Sequence, residues 1–231
     1  MSKEIVNYKE ALAKLAKEQS AAETPAESRL TVTGGRLLYN GNKVDGDKMD
    51  CIVLASTRSN TYFEGAYDAD NPQAPVCYAY GTDELTMKPH KASAKPQSDS
   101  CMTCPNNEWG SGRGKGKACK NRRILAVLPG DTTDPASAPV ATVTLPIMSV
   151  QNWANYSGQI SAGYNVPTLA VITTLAVNPD PKTQYKFSFQ YKGNVNEELI
   201  PGLLARREAV MPTLGPVYEV EEEAPANDRI S

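Results

Sequence analysis

Three cysteines lie close together in the middle of this 231-residue chain, and their spacing is the clearest indication of chemistry in the sequence. Cys101 and Cys104 form a C-x2-C pair, and Cys119 follows them before the next apolar run. A C-x2-C turn presents two thiolates to one tetrahedral ion, so the pattern predicts a structural Zn2+ site. A redox thiol pair and an iron–sulfur centre are the alternatives, but Pro105 follows the second cysteine where a redox-active helix would run.

A closed zinc site needs a fourth ligand, and three residues of the chain are candidates. Cys51 lies in the apolar run 50–54, where burial as an ordinary core thiol is the better explanation. His90 is the single histidine and lies in a hydrophilic segment. Cys77 ends a proline-rich approach to a strand, and a thiol at the end of a strand can reach an ion held by a loop. We favour Cys77 as the fourth ligand, with His90 as the alternative.

The net charge of −2 conceals an uneven distribution. Residues 86–125 contain nine basic and two acidic side chains, a net charge of +7, so the rest of the chain carries −9. Such a basic segment indicates a polyanionic partner. Four glycines alternate with cations between the second and third cysteines, and we expect this loop to bring its backbone and cations close to phosphates. The cations expected to contact nucleic acid are Arg113, Lys115, Lys117, Lys120, Arg122 and Arg123.

Proteins that bind single strands also need aromatic side chains on which bases stack. Trp109 lies within the basic loop, Tyr62 lies in one strand-like run, and Tyr78 and Tyr80 lie two residues apart in another. Any one of these tyrosines is equally typical of ordinary strand packing, so the argument depends on the group. Together, the basic loop and the group of aromatic residues predict that the protein binds single-stranded DNA with little sequence preference.

The remaining sequence predicts a mainly β protein with few helices. A helix is expected over 3–18, another after Ser149 that carries Trp153 and Tyr156, and a third over 196–210. Runs that alternate or are rich in β-branched residues, separated by turn residues, predict strands over 30–39, 50–57, 61–67, 76–80, 124–128, 140–145, 168–177 and 184–191.

This pattern divides the chain into three parts. Residues 1–28 are expected to form the N-terminal helix and a linker, 29–211 the DNA-binding domain with a zinc-binding insertion at about 77–123, and 212–231 an acidic flexible tail. The first ten residues lack the apolar region of a secretory signal, and no apolar run has the length of a membrane span. We therefore expect a soluble, unexported protein without a membrane partner.

Several short motifs resemble a family of tailed-bacteriophage proteins that are described as single-stranded DNA-binding or left uncharacterised. The resemblance extends over about residues 30–190, and its specific part is the cysteine cluster with the GKGKAC segment. It implies an OB-like antiparallel barrel with a zinc-binding insertion, ligands Cys77, Cys101, Cys104 and Cys119, and a role in phage replication or recombination in the cytoplasm of the bacterial host. The matching motifs are Gly34-Gly35-Arg36, Tyr39-Asn40-Gly41, Thr61-Tyr62-Phe63 with Tyr67-Asp68, Pro75-Val76-Cys77, Cys104-Pro105-Asn106, Trp109-Gly110-Ser111 and the segment 114–119.

The acidic tail is similar to those of single-strand-binding proteins in general, where the tail competes with DNA and recruits replication or recombination proteins. Here the chain ends Asp228-Arg229-Ile230-Ser231, without the aromatic end that such tails present to partners. Screening of the basic segment by the tail is therefore the expectation that the resemblance supports best.

Two rival interpretations use the same residues. A zinc-ribbon module that acts on the host transcription or recombination machinery would use the basic loop as a protein-binding surface. A metal-dependent enzyme is the poorer alternative, because one histidine and no compact acidic motif beside the cysteines leave no general base or open coordination site. We predict no catalytic residues and no enzymatic activity.

Overall fold

A computed structural model of the chain describes residues 28–65 and 73–218, together with Tyr8, Ala11, Leu12 and Lys14. The helix predicted over 3–18 and the linker that follows it lie largely outside the described residues. The same holds for Tyr67 and for the acidic run that begins at Glu219. Within the described residues, no helix has the length and apolar character needed to cross a membrane.

The predicted mainly β class is confirmed by one curled sheet of nine strands that forms an open half-barrel. Two α-helices accompany it among the described residues, α1 (Ile147–Tyr164) and α2 (Ile200–Val210). The strands are β1 (Ser28–Thr33), β2 (Arg36–Tyr39), β3 (Asn42–Lys43), β4 (Lys48–Tyr62), β5 (Cys77–Gly81), β6 (Lys120–Pro129), β7 (Ala141–Leu145), β8 (Val171–Asp180) and β9 (Gln184–Asn194).

The sheet runs in the order β3-β2-β1-β7-β6-β4-β8-β9, and β5 pairs with β4 outside this path. β1 and β7 are parallel, and the other described pairs are antiparallel. β4 is the long central strand: β6 lies along one edge, whereas the other edge pairs with β8 at 48–51 and with β5 at 58–62. The second half of β4 therefore extends past β8 and carries β5, from which the cysteine-bearing insertion 82–119 departs.

Local backbone geometry explains why the bounds of three predicted strands are wrong. The run 30–39 is a hairpin, because Gly34 and Gly35 both adopt positive φ (57° and 75°) and reverse the chain between β1 and β2. Two-residue hairpin loops of this kind favour residues that accept positive φ. The runs 50–57 and 61–67 are instead joined, since β4 continues to Tyr62 with a register shift between Val53 and Ala55.

Each helix covers one face of the sheet. On the α1 face, Trp153, Tyr156 and Ile160 pack in a core with Leu125, Val127 and Phe187. On the α2 face, Leu203 and Leu214 pack with Ile52 and Leu54. Ser149, after which the helix was expected to begin, lies instead inside α1, where its Oγ accepts the Phe187 backbone N–H at 2.9 Å. The helix begins after Pro146, whose side chain has no oxygen that could cap it.

Candidate metal centre and nucleic-acid interface

Four cysteines meet on the α1 face, where the insertion folds back on the sheet. Cys77 begins β5, Cys101 and Cys104 precede a 3-10 turn at Pro105–Asn107, and Cys119 directly precedes β6. All four are buried and free, and they line one small cavity of about 20 Å³. Cys51 is fully buried in the core of the α1 face and does not line this cavity.

Polar groups of the insertion and of β4 surround these thiols. The Gln97 backbone N–H lies against the Cys77 sulfur and the Asn60 side chain against the Cys101 sulfur. The Ser93 hydroxyl, next to Cys77, donates to the Tyr78 carbonyl at 3.2 Å. The backbone holds the loops in place as well, because Cys101 N–H donates to the Met87 carbonyl at 3.0 Å. Polar groups around the sulfurs are the kind of outer shell that orients metal ligands.

Burial determines the protonation state of the thiols in the protein alone. It raises the pKa of Cys101 to about 11 and that of Cys119 to about 12, so both are neutral at pH 7. A bound cation acts in the opposite direction, because a coordinating thiol is deprotonated. The cavity is therefore a place where metal binding would release protons.

The donor set fits zinc by type. Four thiolates in tetrahedral arrangement are a standard ligand set of structural zinc sites. Over residues 28–65 and 73–218, however, no group of three or more His, Cys, Asp or Glu side chains is arranged as a metal site. The structure shows four thiols that line one cavity, and the metal belongs to the proposal made below.

His90 lies away from this cavity. Its ring stacks on Tyr78 with centroids 4.8 Å apart, and its Nδ1 accepts the Ala92 backbone N–H at 3.2 Å. Adjacent residues of a strand point to opposite faces, so Tyr78 lies on the other face of β5 from Cys77. The geometry thus groups Cys77, and not His90, with the three other thiols.

The glycine-rich loop 108–118 is folded on itself. The amides of Gly110 and Gly112 both donate to the Gly116 carbonyl, at 3.1 and 2.9 Å, and Gly116 N–H donates to the Arg113 carbonyl. A Cβ on Gly112 would lie 2.8 Å from the backbone of Lys117, so the close approach requires glycine. The glycines therefore close the loop, and these three amides are not free to bind phosphates as the sequence suggested.

Trp109 is the aromatic side chain that this loop presents to solvent, with 77% of its surface exposed. The Lys117 ammonium lies 5.5 Å from the centroid of its ring. Lys117 Nζ also donates to Asn107 Oδ1 at 3.3 Å, and Asn107 Nδ2 donates to the Cys101 carbonyl at 2.7 Å. The exposed ring and its cation are thus tied to the residues around the thiol cavity.

The three tyrosines predicted to stack on bases are placed differently. Tyr78 is only 1% exposed, enclosed by His90, Tyr80 and Tyr218, so it has no free ring face and is not a stacking residue. Tyr80 is half-buried and its hydroxyl donates to the Pro216 carbonyl at 2.9 Å. Tyr62 is half-buried and lines the thiol cavity.

The alternation of β6 divides the predicted basic patch between the two faces of the sheet. Lys120 and Arg122 lie on the α2 face, as do Tyr78 and Tyr80 of β5. Through β4, Lys120 is in the same register row as Tyr78, and Arg122 is in the same row as Tyr80. Arg123 points to the α1 face, as does every second residue of a strand. Arg113 and Lys115 are exposed at the tip of the loop.

The first residues of the predicted tail pack against the sheet. Leu214 is buried in the core of the α2 face, and Gly215 lies so close to Tyr80 that a Cβ there would be 2.9 Å from its ring. Tyr218 packs edge-on against Tyr78 with centroids 4.9 Å apart. Tyr78, against which the end of the described chain packs, lies in the same register row as Lys120, two strands or roughly 10 Å away.

Sequence reasoning missed an asparagine network beneath the loop. Asn121 Nδ2 donates to Asn60 Oδ1 at 2.8 Å and to Asn107 Oδ1 at 2.9 Å. Asn60 and Asn121 are directly opposite each other in the register of β4 and β6. Their partnership depends on a pairing between residues 61 positions apart, which no local pattern reveals.

The comparisons with known proteins found no match: no protein-family model, no curated protein and no solved structure is significantly similar to this chain.

Proposed function

We propose that this protein binds single-stranded DNA with little sequence preference, through the loop 108–118 and the first residues of β6. The observation that carries the proposal is the Trp109 ring, which is 77% exposed with the Lys117 ammonium beside it. An indole left in water contributes little to the fold, whereas an exposed ring among cations is the arrangement on which the bases of single strands stack.

The remaining contacts of the proposed interface are electrostatic. Arg113 and Lys115 at the loop tip, and Lys120 and Arg122 at the start of β6, are the cations that would neutralise phosphates. Stacking accepts every base, and phosphate contacts carry no sequence information. Binding through these groups is therefore expected to coat a strand rather than to select a sequence.

The proposed role of Zn2+ is to fix the insertion that carries the loop. Cys104 and Cys119 lie on either side of the loop, so one ion held by Cys77, Cys101, Cys104 and Cys119 would join both of its ends to β5. Structural zinc contributes folding free energy directly, because the site does not exist in the unfolded chain. When bound, the metal would hold Trp109 in place relative to the sheet, so that its position would not depend on the hydrogen bonds of the loop alone.

The finer fold class and the biological setting are also proposals. The OB-like description, the phage replication or recombination role, the cytoplasm of a bacterial host and the recruitment of replication proteins by the tail all depend on the resemblance of the motifs. We also propose that the protein has no enzymatic activity. Aromatic and basic side chains on a sheet with curvature suit a strand-coating protein, and this chemistry needs no general base.

A fluorescence anisotropy titration with a labelled, unstructured oligonucleotide tests the proposal. We expect a Kd in the micromolar range or tighter, weakened by added salt, and weaker binding of a duplex of the same length. Absence of binding at low salt, or preference for the duplex, would contradict it. Incubation of the same oligonucleotide with Mg2+ should leave it intact.

One observation favours the zinc-ribbon interaction module as the second candidate. Leu85 and Met102 are 70% and 54% exposed, and both belong to the insertion, where Cys101 N–H bonds to the Met87 carbonyl. Exposed apolar side chains beside an exposed tryptophan are also typical of protein interfaces. If Leu85→Ala and Met102→Ala leave oligonucleotide affinity unchanged while Trp109→Ala lowers it, the DNA-binding candidate is the one supported.

A further inference from the structure

Two arginines lie side by side on adjacent strands. Both are on the face of the sheet opposite to that of Arg122. Arg58 of β4 is paired in register with Arg123 of β6. Residues directly opposite in antiparallel strands have Cβ atoms about 5 Å apart, and like charges in such a pair destabilise the sheet. Burial and the neighbouring Arg58 both lower the pKa of Arg123. In the protein alone, the two guanidinium groups therefore repel each other.

The pair is only partly neutralised. Glu84 forms an ion pair with Arg58, with 3.0 Å between Oε2 and Nη1, and its charge also acts on Arg123. Across the described parts of the chain it is the one carboxylate that forms an ion pair with either arginine, which leaves a net charge of +1 on the three groups. In addition, the Nε atoms of both arginines are buried without a hydrogen-bond acceptor. Buried donors without acceptors are rare, and a missing ion is one of their ordinary explanations.

The paired strand residues and the first turn of α1 add no further negative charge. Next to Arg58, β5 carries Gly81, which Met87 of the insertion covers so closely that a Cβ on Gly81 would lie 2.7 Å from the Met87 side chain. Next to Arg123, β7 carries Leu145, and α1 begins two residues later with no acidic residue in its first turn. The arginine pair therefore lies between the insertion and the beginning of α1.

A hydrogen-bonded network of asparagines lies between the arginine pair and the exposed tryptophan. The next residues on the same face are Asn60 and Asn121, two positions along each strand, or about 7 Å. Asn121 bonds to Asn107, which accepts the Lys117 ammonium, and Lys117 lies over the Trp109 ring. The arginine pair thus lies on the same face of the sheet as this network, two residues from its nearest members.

We propose that Arg58 and Arg123 together form a phosphate-binding site that takes one phosphate group of the nucleic-acid backbone. The identity of the polyanion rests on the proposed function, whereas the site itself requires only a phosphate oxyanion. The planar guanidinium fork matches two phosphate oxygens, and the anion would offset the repulsion between the two arginines. The phosphate would also give the buried Nε groups the acceptors that they lack, after small rotations of the side chains.

Inorganic phosphate is the simplest probe of this site. We expect phosphate to raise the Tm of the full chain in a saturable manner beyond chloride at equal ionic strength, because a ligand that binds the native state stabilises it. Arg58→Gln and Arg123→Gln should abolish the phosphate-specific rise. Arg206→Gln is the matched control: its Nε is also buried without an acceptor, but its Nη2 donates to the Ala138 carbonyl on the α2 face. A rise no larger than that in chloride, or one that survives both glutamine substitutions, would overturn the site.

The oligonucleotide separates this inference from the proposed function. Each glutamine variant should weaken single-strand binding about tenfold, the loss of one charge-assisted hydrogen bond. Arg58→Lys and Arg123→Lys keep the positive charge but lose the planar guanidinium group, so they should lose part of that affinity. They serve as substitutes if the glutamine variants do not fold. Parent-like binding by all four variants refutes the phosphate site and leaves the proposed function intact. An arginine-dependent effect of phosphate without oligonucleotide binding supports the site and refutes the proposed function.

Discussion

Replacement of Trp109 by alanine should separate binding from folding. Since the ring is 77% exposed, its removal takes little packing from the protein. The substitution also removes the cation–π interaction with the Lys117 ammonium, 5.5 Å from the ring centroid, and such an exposed interaction contributes about 0.5–1 kcal/mol. Loss of a base that stacks on the ring costs about 1–3 kcal/mol of binding free energy. The expected result is a Kd raised about 5- to 150-fold, while the free energy of unfolding falls by at most about 1 kcal/mol.

The assay is an anisotropy titration at several salt concentrations, with a denaturation curve for each variant. The slope of log affinity against log salt should stay near that of the parent, because the substitution removes no phosphate contact. Tyr164→Ala is a suitable control: Tyr164 is 49% exposed and stacks on Tyr191 at the end of α1, away from the loop. Unchanged affinity in Trp109→Ala, or an equal loss in the Tyr164 control, would refute the role given to the loop.

Two further predictions concern the metal and the tail. Elemental analysis of protein purified without added metal should find about one zinc per chain, lost in Cys104→Ser and retained in Cys51→Ser and His90→Ala; full zinc content in Cys104→Ser, or loss of zinc in His90→Ala, would contradict the ligand set. Truncation after Tyr218 keeps the packed residues 214–218 and removes only the acidic run, so oligonucleotide binding should strengthen at low salt and return to the parent value as ions screen the attraction. Equal affinity with and without the run at every salt concentration would rule out self-screening.

Local patterns in the sequence were sufficient for the mainly β class and for several elements. The run predicted over 140–145 corresponds to β7, and the alternation over 184–191 lies within β9. The helix expected after Ser149 exists as α1, which places Trp153 in the core. These elements are marked by short-range periodicity, which reports which residues of a segment are buried.

What failed depends on pairing between distant residues. Tyr78 has the pattern of an ordinary strand residue, and its burial arises from His90 and from Tyr218, which is distant in the chain. The sequence RR at 122–123 has the composition of one basic patch, yet the strand alternation sends the two side chains to opposite faces. The grouping of Cys77 with the other three thiols was expected, although it too depends on a strand pairing, that of β5 with β4. Composition finds the residue types, whereas register decides which of them meet.

The salt dependence of binding tests the central claim most directly. Log affinity for a single strand falls with log salt at a slope of about −0.7 per phosphate neutralised, so engagement of four to seven cations predicts a slope of roughly −3 to −5. A variant with alanine at Arg113, Lys115 and Lys117 should bind more weakly and flatten this slope by up to about 2. A triple variant that binds as tightly as the parent with the same slope, or a parent that prefers duplex DNA, would contradict the account.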